Sequence, residues 1–304
     1  MPPLVTVGIC VRNGEALLPA AVESILRQDY PQNRIQIIFI DDCSQDRTPQ
    51  IIRYYTSQLG ERAKAFKSAG KGLGNARNQL VEAADGEYLL FVDADEILTP
   101  SYLRRQVEVL NNNPKVGITA GVFKTVPGNL ILNLEVAPYI VNQKNYGKSK
   151  SFLLKTDKPI GTGGTAFRIS AVRQVHGFDE RIRGAGEDIN LVMRIRNAGW
   201  QIQPNEAEFY ELHSGLSTPF DLLKKYFWYG YGSQKNFKQN LGAFSLPRMS
   251  PMAGFVTGVL YCFPAYRFLR QKQMFLLPLH FGLKHAAWTL GFMNGQIKNG
   301  NGRH

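Results

Sequence analysis

The chain has 304 residues, 44% of them apolar, a formal net charge of +12 and three cysteines. That length and apolar content supply the core of one large α/β domain, or of one domain with an appendage. Cys10, Cys43 and Cys262 are odd in number and far apart, and no CxxC spacing occurs, which argues against a disulfide framework and fits a reducing compartment.

In chain order, "LVTVGIC" (4–10) and "IQIIFID" (35–41) are rich in β-branched residues and read as buried strands, and no basic-then-apolar leader precedes the first. Leu18, Val22, Ile25 and Leu26 lie between them at helical spacing. Thr48-Pro49 supplies an N-cap and a first helical position for a helix bearing Ile51, Ile52, Tyr55 and Leu59. A helix over 74–85 precedes "EYLLFVD", the third strand of this reading, and Thr99-Pro100 repeats the helix-start signal ahead of Leu103, Val107 and Leu110. Farther on, "VGITAGVF" reads as one strand, and "GTGGTAFRIS" (161–170) joins four small residues to another. Residues 186–200 read as a helix opened by Asp188, with Ile189, Val192, Met193 and Ile195 apolar and Ala198-Gly199 at its close. Alternating strands and helices predict an α/β fold whose mostly parallel twisted sheet is flanked by helices. Such sheets bind ligands beyond the carboxyl ends of their strands. Asp41-Asp42 and Asp93-Ala94-Asp95 both follow strands at that end.

Asp93, Asp95 and Glu96 arrive directly after a buried apolar run. If strand geometry persists, Asp93 and Asp95 face the same side. Two convergent carboxylates suit a hard cation such as Mg²⁺ or Mn²⁺ shared with phosphate oxygens; the alternative is a solvated turn. His213, in "YELHSG", is either a nitrogen ligand or a structural imidazole. Asp188 is either an N-cap or a general base aimed by the helix start, with Glu187 as its dipole-compatible neighbour. Asp41-Asp42 either accepts hydrogen bonds from a nucleobase or ribose, or caps the turn "CSQDRTP".

Four stretches in this order, "VTVGICVRNGEALLPAAVESILRQDYP", "IIFIDDCSQDRT", "GLGNARNQLVEAADGEYLLFVDADEILTPSYL" and "VHGFDERIRGAGEDINLVMRIRNAGW", resemble the family-2 glycosyltransferases, which have the nucleotide-sugar-binding GT-A fold. The segment "STPFDLLKKYFWYGYGSQKNF" is similar to the one after the catalytic domain in bacterial exopolysaccharide-type members such as succinoglycan glycosyltransferases. The resemblance implies a GT-A catalytic domain over 1–215 and an inverting transfer of a sugar from a nucleotide-diphosphate sugar to a glycan or polyprenyl-linked acceptor in cell-surface or exopolysaccharide synthesis. It implies that Cys10, Arg12, Asn13 and Asp42 line the nucleoside pocket and that Arg77 approaches the base or the phosphates. Asp93 would face the ribose or the metal, Asp95 would be the principal ligand of Mn²⁺ or Mg²⁺, and His213 would add another ligand. Asp188 would be the base, with Glu187 and Glu96 behind these groups or, for Glu96, a bystander. Cys10-Val11-Arg12-Asn13 replaces the usual Pro-x-Tyr-Asn, which removes an aromatic base-stacking partner. No Gln-x-x-Arg-Trp follows the Asp188 helix, which argues against a processive enzyme.

Charge divides the chain unevenly. Residues 222–304 hold 11 Lys/Arg and no acid, so the rest is nearly neutral. Within a basic, aromatic-rich helical region over 216–304, Met249–Tyr266 is uncharged but carries Pro251, Gly254, Gly258 and Pro264. The run Met274–Leu283 is bounded by Lys272 and Lys284 and is too short to span a bilayer. These predict two interfacial or re-entrant helices on an anionic membrane surface, with Tyr261, Phe263, Tyr266 and Trp288 at headgroup level and the protein on the cytoplasmic face. A helical subdomain packed on the catalytic one is the alternative, and so is spanning by 249–266. No nucleic-acid motif accompanies the basic region. Two other functions compete: a catalytically silent sugar-nucleotide-binding or scaffold protein, and a nucleotide-dependent oxidoreductase. The glycines of "GKGLGNARN" follow no clear strand, which disfavours the oxidoreductase, and Asp93, Asp95 and Asp188 disfavour silence.

Overall fold

β-branched runs pack best in a pleated strand buried on both faces, and the two N-terminal runs adopt that state. In the computed structural model, which describes residues 1–125, 128–146, 161–182, 185–212, 217–238 and 249–300, they form β1 (Val5–Val11) and β2 (Ile35–Asp41). Around them come α1 (Leu18–Leu26), α2 (Thr48–Leu59), β3 (Ala63–Lys67), α3 (Leu73–Ala83), β4 (Tyr88–Phe91), β5 (Glu96–Leu98) and α4 (Tyr102–Asn112). Then follow β6 (Val116–Ala120), β7 (Val122–Thr125), α5 (Leu130–Tyr146), β8 (Thr165–Arg168), α6 (Ile169–Gln174), α7 (Glu187–Asn197), β9 (Gln201–Ile202) and β10 (Glu208–Glu211). The chain ends in α8 (Pro219–Lys238), α9 (Pro251–Leu269) and α10 (Leu277–Gly300).

The main sheet has the order β3-β2-β1-β4-β8-β6-β9. β1 pairs in parallel with β2 and β4, and β2 with β3, so their carboxyl ends share one edge. β8 runs antiparallel between β4 and β6, with Thr165 opposite Phe91. That reversal brings the residues preceding β8 to the edge where β4 ends. Alternate side chains feed two cores: Ile35, Ile37 and Phe39 join β1 on one face, while Ile38, Ile40, Leu89 and Phe91 pack under α3 and α7 on the other. A second sheet, β5-β10-β7, carries Glu96 on one edge strand.

Several expectations need correction. "EYLLFVD" is the fourth strand, because the half-polar β3 shows no apolar alternation to read. Thr48 does not cap α2; the hydroxyl accepts the Gly14 amide at 2.8 Å instead. "VGITAGVF" is two strands in two sheets, broken at Gly121, where a Cβ would meet the Ala207 carbonyl at 2.2 Å and the Tyr102 ring at 2.5 Å. On α7, Asn190 and Leu191 are buried, whereas Ile189 and Met193 are only partly so.

The chain divides into two compact units, the first being Met1–Val126, Thr156–Arg181 and Glu187–Leu212. The second takes Pro127–Lys155, Ile182–Gly186 and His213–His304. Residues from the middle of the sequence thus join the C-terminal region. Within this second unit the helices approach through glycine. A Cβ on Gly254 or Gly258 of α9 would strike the Phe281 or Leu277 carbonyl of α10, and one on Gly230 or Gly291 would strike the facing backbone of α10 or α8. Pro264 lies inside α9 without ending it, and Ser250 caps that helix by accepting the Ala253 amide. α10 continues well past the apolar run that Lys272 and Lys284 bound. Lys284 is an interior residue whose ammonium donates to Glu135 of α5 at 3.2 Å, beside His280 at 2.8 Å from the same oxygen and the Tyr226 hydroxyl on the other. Trp288 is buried and stacked on Phe292 rather than exposed for a headgroup.

Candidate active site

Strand geometry does not persist through Asp93-Ala94-Asp95. β4 ends at Phe91, and the amide of Glu96 donates to the Asp93 carbonyl at 3.0 Å, so the triplet is a turn leading into β5. The side-by-side placement expected from alternation therefore fails, and the turn itself decides where the two carboxylates go. Glu96 is not a bystander. It is 5% exposed, and its Oε2 accepts the amides of Asp93 at 2.9 Å and Gly164 at 3.0 Å, tying the turn to the loop before β8. Tyr102 extends the tie by donating its hydroxyl to the Gly164 carbonyl while accepting the Gly121 amide at 3.0 Å.

That loop, "GTGG" at 161–164, is the part of the site that sequence reading left without a role. A Cβ on Gly163 would lie 2.2 Å from Glu96 Oε1 and 3.2 Å from Asp93 Oδ2, and one on Gly161 would lie 3.2 Å from Asp188 Oδ2. The glycines let backbone reach three carboxylates at once. Four small residues directly before a strand were the available signal; their target was not legible.

Asp188 sits in the first turn of α7, after Gly186 at φ +106°, and its Oδ1 accepts the Ile189 amide at 2.7 Å. Its neighbour Glu187 is 3% exposed and accepts from Arg77 Nη1 at 2.5 Å. Arg77 reaches Asp93 at 3.8 Å through its other nitrogen and lies over the rings of Phe91 and Phe178 at 5.9 and 5.7 Å. Asn78 clamps the adjacent loop, donating to the Phe178 carbonyl at 3.0 Å and accepting its amide at 2.7 Å. The "ARN" motif therefore joins α3 to the start of α7 and to the end of β4. Arg77, for which the resemblance implies an approach to the base or the phosphates, forms a buried ion pair with Glu187 here.

Electrostatics express the crowding of acids. Burial, with the charges of Asp93, Asp95 and Glu211, pushes Glu96 well above the usual carboxylate range. Burial raises Glu187 to about 7 against the pull of Arg77, and burial with Asp188 raises Asp93. Burial also pushes the Cys10 thiol up to about 12, which keeps it protonated.

At the ends of β1 to β3, Asp41 and Asp42 have separate duties. Asp41 Oδ1 accepts the Ser44 amide at 3.1 Å, while Asp42 Oδ1 accepts the Ser68 hydroxyl. Asn13, at φ +53°, accepts the Gln45 amide at 2.8 Å and donates its own amide to Ser44 Oγ at 2.9 Å, which locks the first loop to the second. Arg12 is exposed beside it. Ser68 was not anticipated, and nothing in its local sequence marks it.

A divalent cation fits this donor set. The turn carries Asp93 and Asp95, hard oxygen donors whose charges act on or with those of Glu96 and Asp188. Among the described residues no group of three or more His, Cys, Asp or Glu is arranged around one point. Mg²⁺ and Mn²⁺ need no such cage, because phosphate and water complete their shells. His213 lies outside the described residues; Leu212, before it, donates its amide to the Asp95 carbonyl at 2.8 Å.

Comparisons with known proteins bear on the family and the fold. The profile of the family described as "Glycosyl transferase family 2" matches residues 6–175. The probable glycosyltransferase YdaM of Bacillus subtilis is 25% identical over 66% of this chain and 48% of its own length. The poly(ribitol-phosphate) beta-N-acetylglucosaminyltransferase TarS of Staphylococcus aureus is 32% identical over 30% of this chain and 16% of its own. The chain thus answers to less than half the length of these relatives. Among solved structures, the mannosyltransferase PcManGT of Pyrobaculum calidifontis, in complex with GDP-Man and Mn²⁺, superposes with a TM-score of 0.70 at 17% identity, over 98% of this chain and 88% of that one. TarS 1–349 in complex with UDP gives 0.53 at 16% identity, over 98% and 92%. The shared architecture is the GT-A fold.

Proposed function

The chain belongs to glycosyl transferase family 2, and from that premise we propose that it moves a sugar from a nucleoside diphosphate donor to an acceptor hydroxyl with inversion at the anomeric carbon. One observation carries the reading: Asp188, Asp93 and Glu96 all abut the 161–164 backbone at the carboxyl edge of the sheet, where such folds bind ligands. The loops after β1, β2 and β3, with Asp42 and Ser68, hold the nucleoside end; the turn of Asp93 and Asp95 faces the diphosphate. When bound there, Mn²⁺ or Mg²⁺ supplies positive charge for the departing diphosphate. Asp188, its aim set by the first turn of α7, accepts the proton of the attacking hydroxyl on the face opposite the leaving group, the logic that governs inverting glycoside chemistry. Glu187 and Arg77 hold that turn in place, and Gly161 leaves room beside the base.

The acceptor is a glycan or a polyprenyl-linked saccharide, and the second unit holds the protein to the cytoplasmic face of a membrane. The support is an inverted distribution of polarity. α9 exposes Met252, Phe255, Val256, Val259, Leu260 and Phe263 at spacings of three and four, while Ser233, Gln234, Asn236, His280 and Lys284 are buried. α9 is long and apolar enough to cross a membrane by length and composition, and 17% of that apolar stretch is buried. The basic, acid-free sequence suits anionic lipid.

Asp188→Asn tests the chemistry. General base assistance is worth about 10²–10⁴ in rate, so transfer falls by that factor while donor affinity is kept. Turnover within a few-fold of wild type would remove Asp188 from the mechanism. Flotation with anionic vesicles tests the membrane reading: protein that stays at the bottom of the gradient at low salt would sink it.

A further inference from the structure

α8 and α10 enclose an open groove of about 470 Å³, within the size range of ligand sites. Phe220, Leu223, Phe227, Leu283, Ala286 and Leu290 line it, together with the exposed Lys224. Phe220 is 72% exposed and Leu290 61%, too much apolar surface to leave to water without a partner. The close approach of the two helices has a fixed cause, since Gly230 and Gly291 each lie against the opposite backbone. The groove is thus a consequence of how α8 and α10 pack.

We propose that this groove seats one acyl chain of an anionic bilayer phospholipid, with the Lys224 ammonium against its phosphate. The inference rests on the membrane reading above and goes further, by naming a bound lipid where that reading needs only a surface. Charge selects the occupant. Asp221, whose charge Lys224 partly offsets, is the acid beside the groove, but residues 222–304 carry 11 basic side chains and no acid, so a second copy of the same region would be repelled on balance, whereas an anionic headgroup is attracted. An acyl chain also needs no hydrogen bonds from a wall built of hydrocarbon, and Lys224 supplies the single cation that a phosphate monoanion takes.

The experiment uses the full chain on vesicles of phosphatidylglycerol in phosphatidylcholine, with a trace of phosphatidylglycerol bearing a photoactivatable diazirine in its acyl chain. After irradiation, adducts are mapped by mass spectrometry. Adducts are expected on the α8 and α10 peptides that carry Leu223, Phe227, Ala286 and Leu290. Ala286→Trp fills the groove and should lose them while floating with vesicles as wild type does. Lys224→Glu should lose the preference for a phosphatidylglycerol probe over a phosphatidylcholine probe with the same chains. Floating protein whose adducts lie on α9 alone would overturn the groove assignment and leave the membrane reading standing. Adducts at α8 and α10 from a polyprenyl phosphate photoprobe but not from the phospholipid would overturn the assignment to a bilayer lipid. Failure of the wild type to float would overturn both readings.

Discussion

Arg77 and Glu187 form a buried pair at 2.5 Å, with side chains 6% and 4% exposed. Arg77→Met leaves a carboxylate in the interior without its cation, and Glu187→Met leaves the guanidinium only the longer contact with Asp93 at 3.8 Å beside the rings of Phe91 and Phe178. Removing one partner of such a pair destabilises by about 3–5 kcal/mol. At about 2–4 °C per kcal/mol for a domain of this size, Tm falls by roughly 6–20 °C. The double variant removes both charges and should recover about 0.5–3 kcal/mol relative to the sum of the single losses. pH supplies a second signature. Burial already raises Glu187 to about 7, and Arg77 opposes that rise, so the single Arg77→Met change pushes it higher. A raised acid is more stable in the folded state when protonated; its contribution is present below the unfolded value, about 4.3, and is lost as pH rises through the folded one. Arg77→Met should therefore be less damaged at pH 6 than at pH 8. Urea unfolding of the four proteins at both pH values measures the cycle, and titration with nucleoside diphosphate and Mn²⁺ measures binding. Additive single losses would refute the pairing. A loss of nucleotide affinity in Arg77→Met that Glu187→Met does not share would return Arg77 to the ligand.

Gly163→Ala places a methyl 2.2 Å from Glu96 Oε1, so the carboxyl must leave the amides of Asp93 and Gly164. Overpacking of this kind costs about 1–3 kcal/mol, and a displacement of about 1 Å at the site can cost about 10²-fold in rate; unchanged Tm and turnover would contradict the contact. Asp95→Ala should abolish the part of nucleotide binding that a chelator removes, leaving the remainder; calorimetry with and without Mn²⁺ separates the two, and an intact chelator-sensitive part would clear Asp95 of ligation. In the helical unit, burial alone would raise Glu135, but Lys284, His280 and Tyr226 outweigh it and hold the carboxyl well below its ordinary range. Its contribution is present above the unfolded value, about 4.3, and is lost as pH falls through the depressed folded value. Glu135→Gln should lower Tm at neutral pH and flatten the acid limb below about pH 4.3; melting curves that run parallel to wild type down to pH 2 would refute it.

What could be read from the residues was what near neighbours decide. β-branched runs marked β1 and β2 and an apolar run marked β4, apolar spacing marked α1, α2 and α4, and the carboxylates after β2 and β4 marked the edge where a ligand belongs. The absence of acid beyond residue 222 was likewise plain in the composition. Tertiary structure decided the rest through pairings far apart in the chain. The antiparallel insertion of β8 beside β4 delivers Gly161–Gly164 to Asp93, Glu96 and Asp188, and no local pattern encodes that reversal. Arg77 finds Glu187 across 110 residues and so braces the start of α7, a pairing no local pattern announces. Lys284, which bounds an apolar run in the sequence, is buried in the middle of a helix because Glu135, 149 residues earlier, receives it. The physical reason is the same in each case. Propensity and periodicity act within a few residues, whereas a buried charge is stabilised only by the partner that the folded chain brings to it.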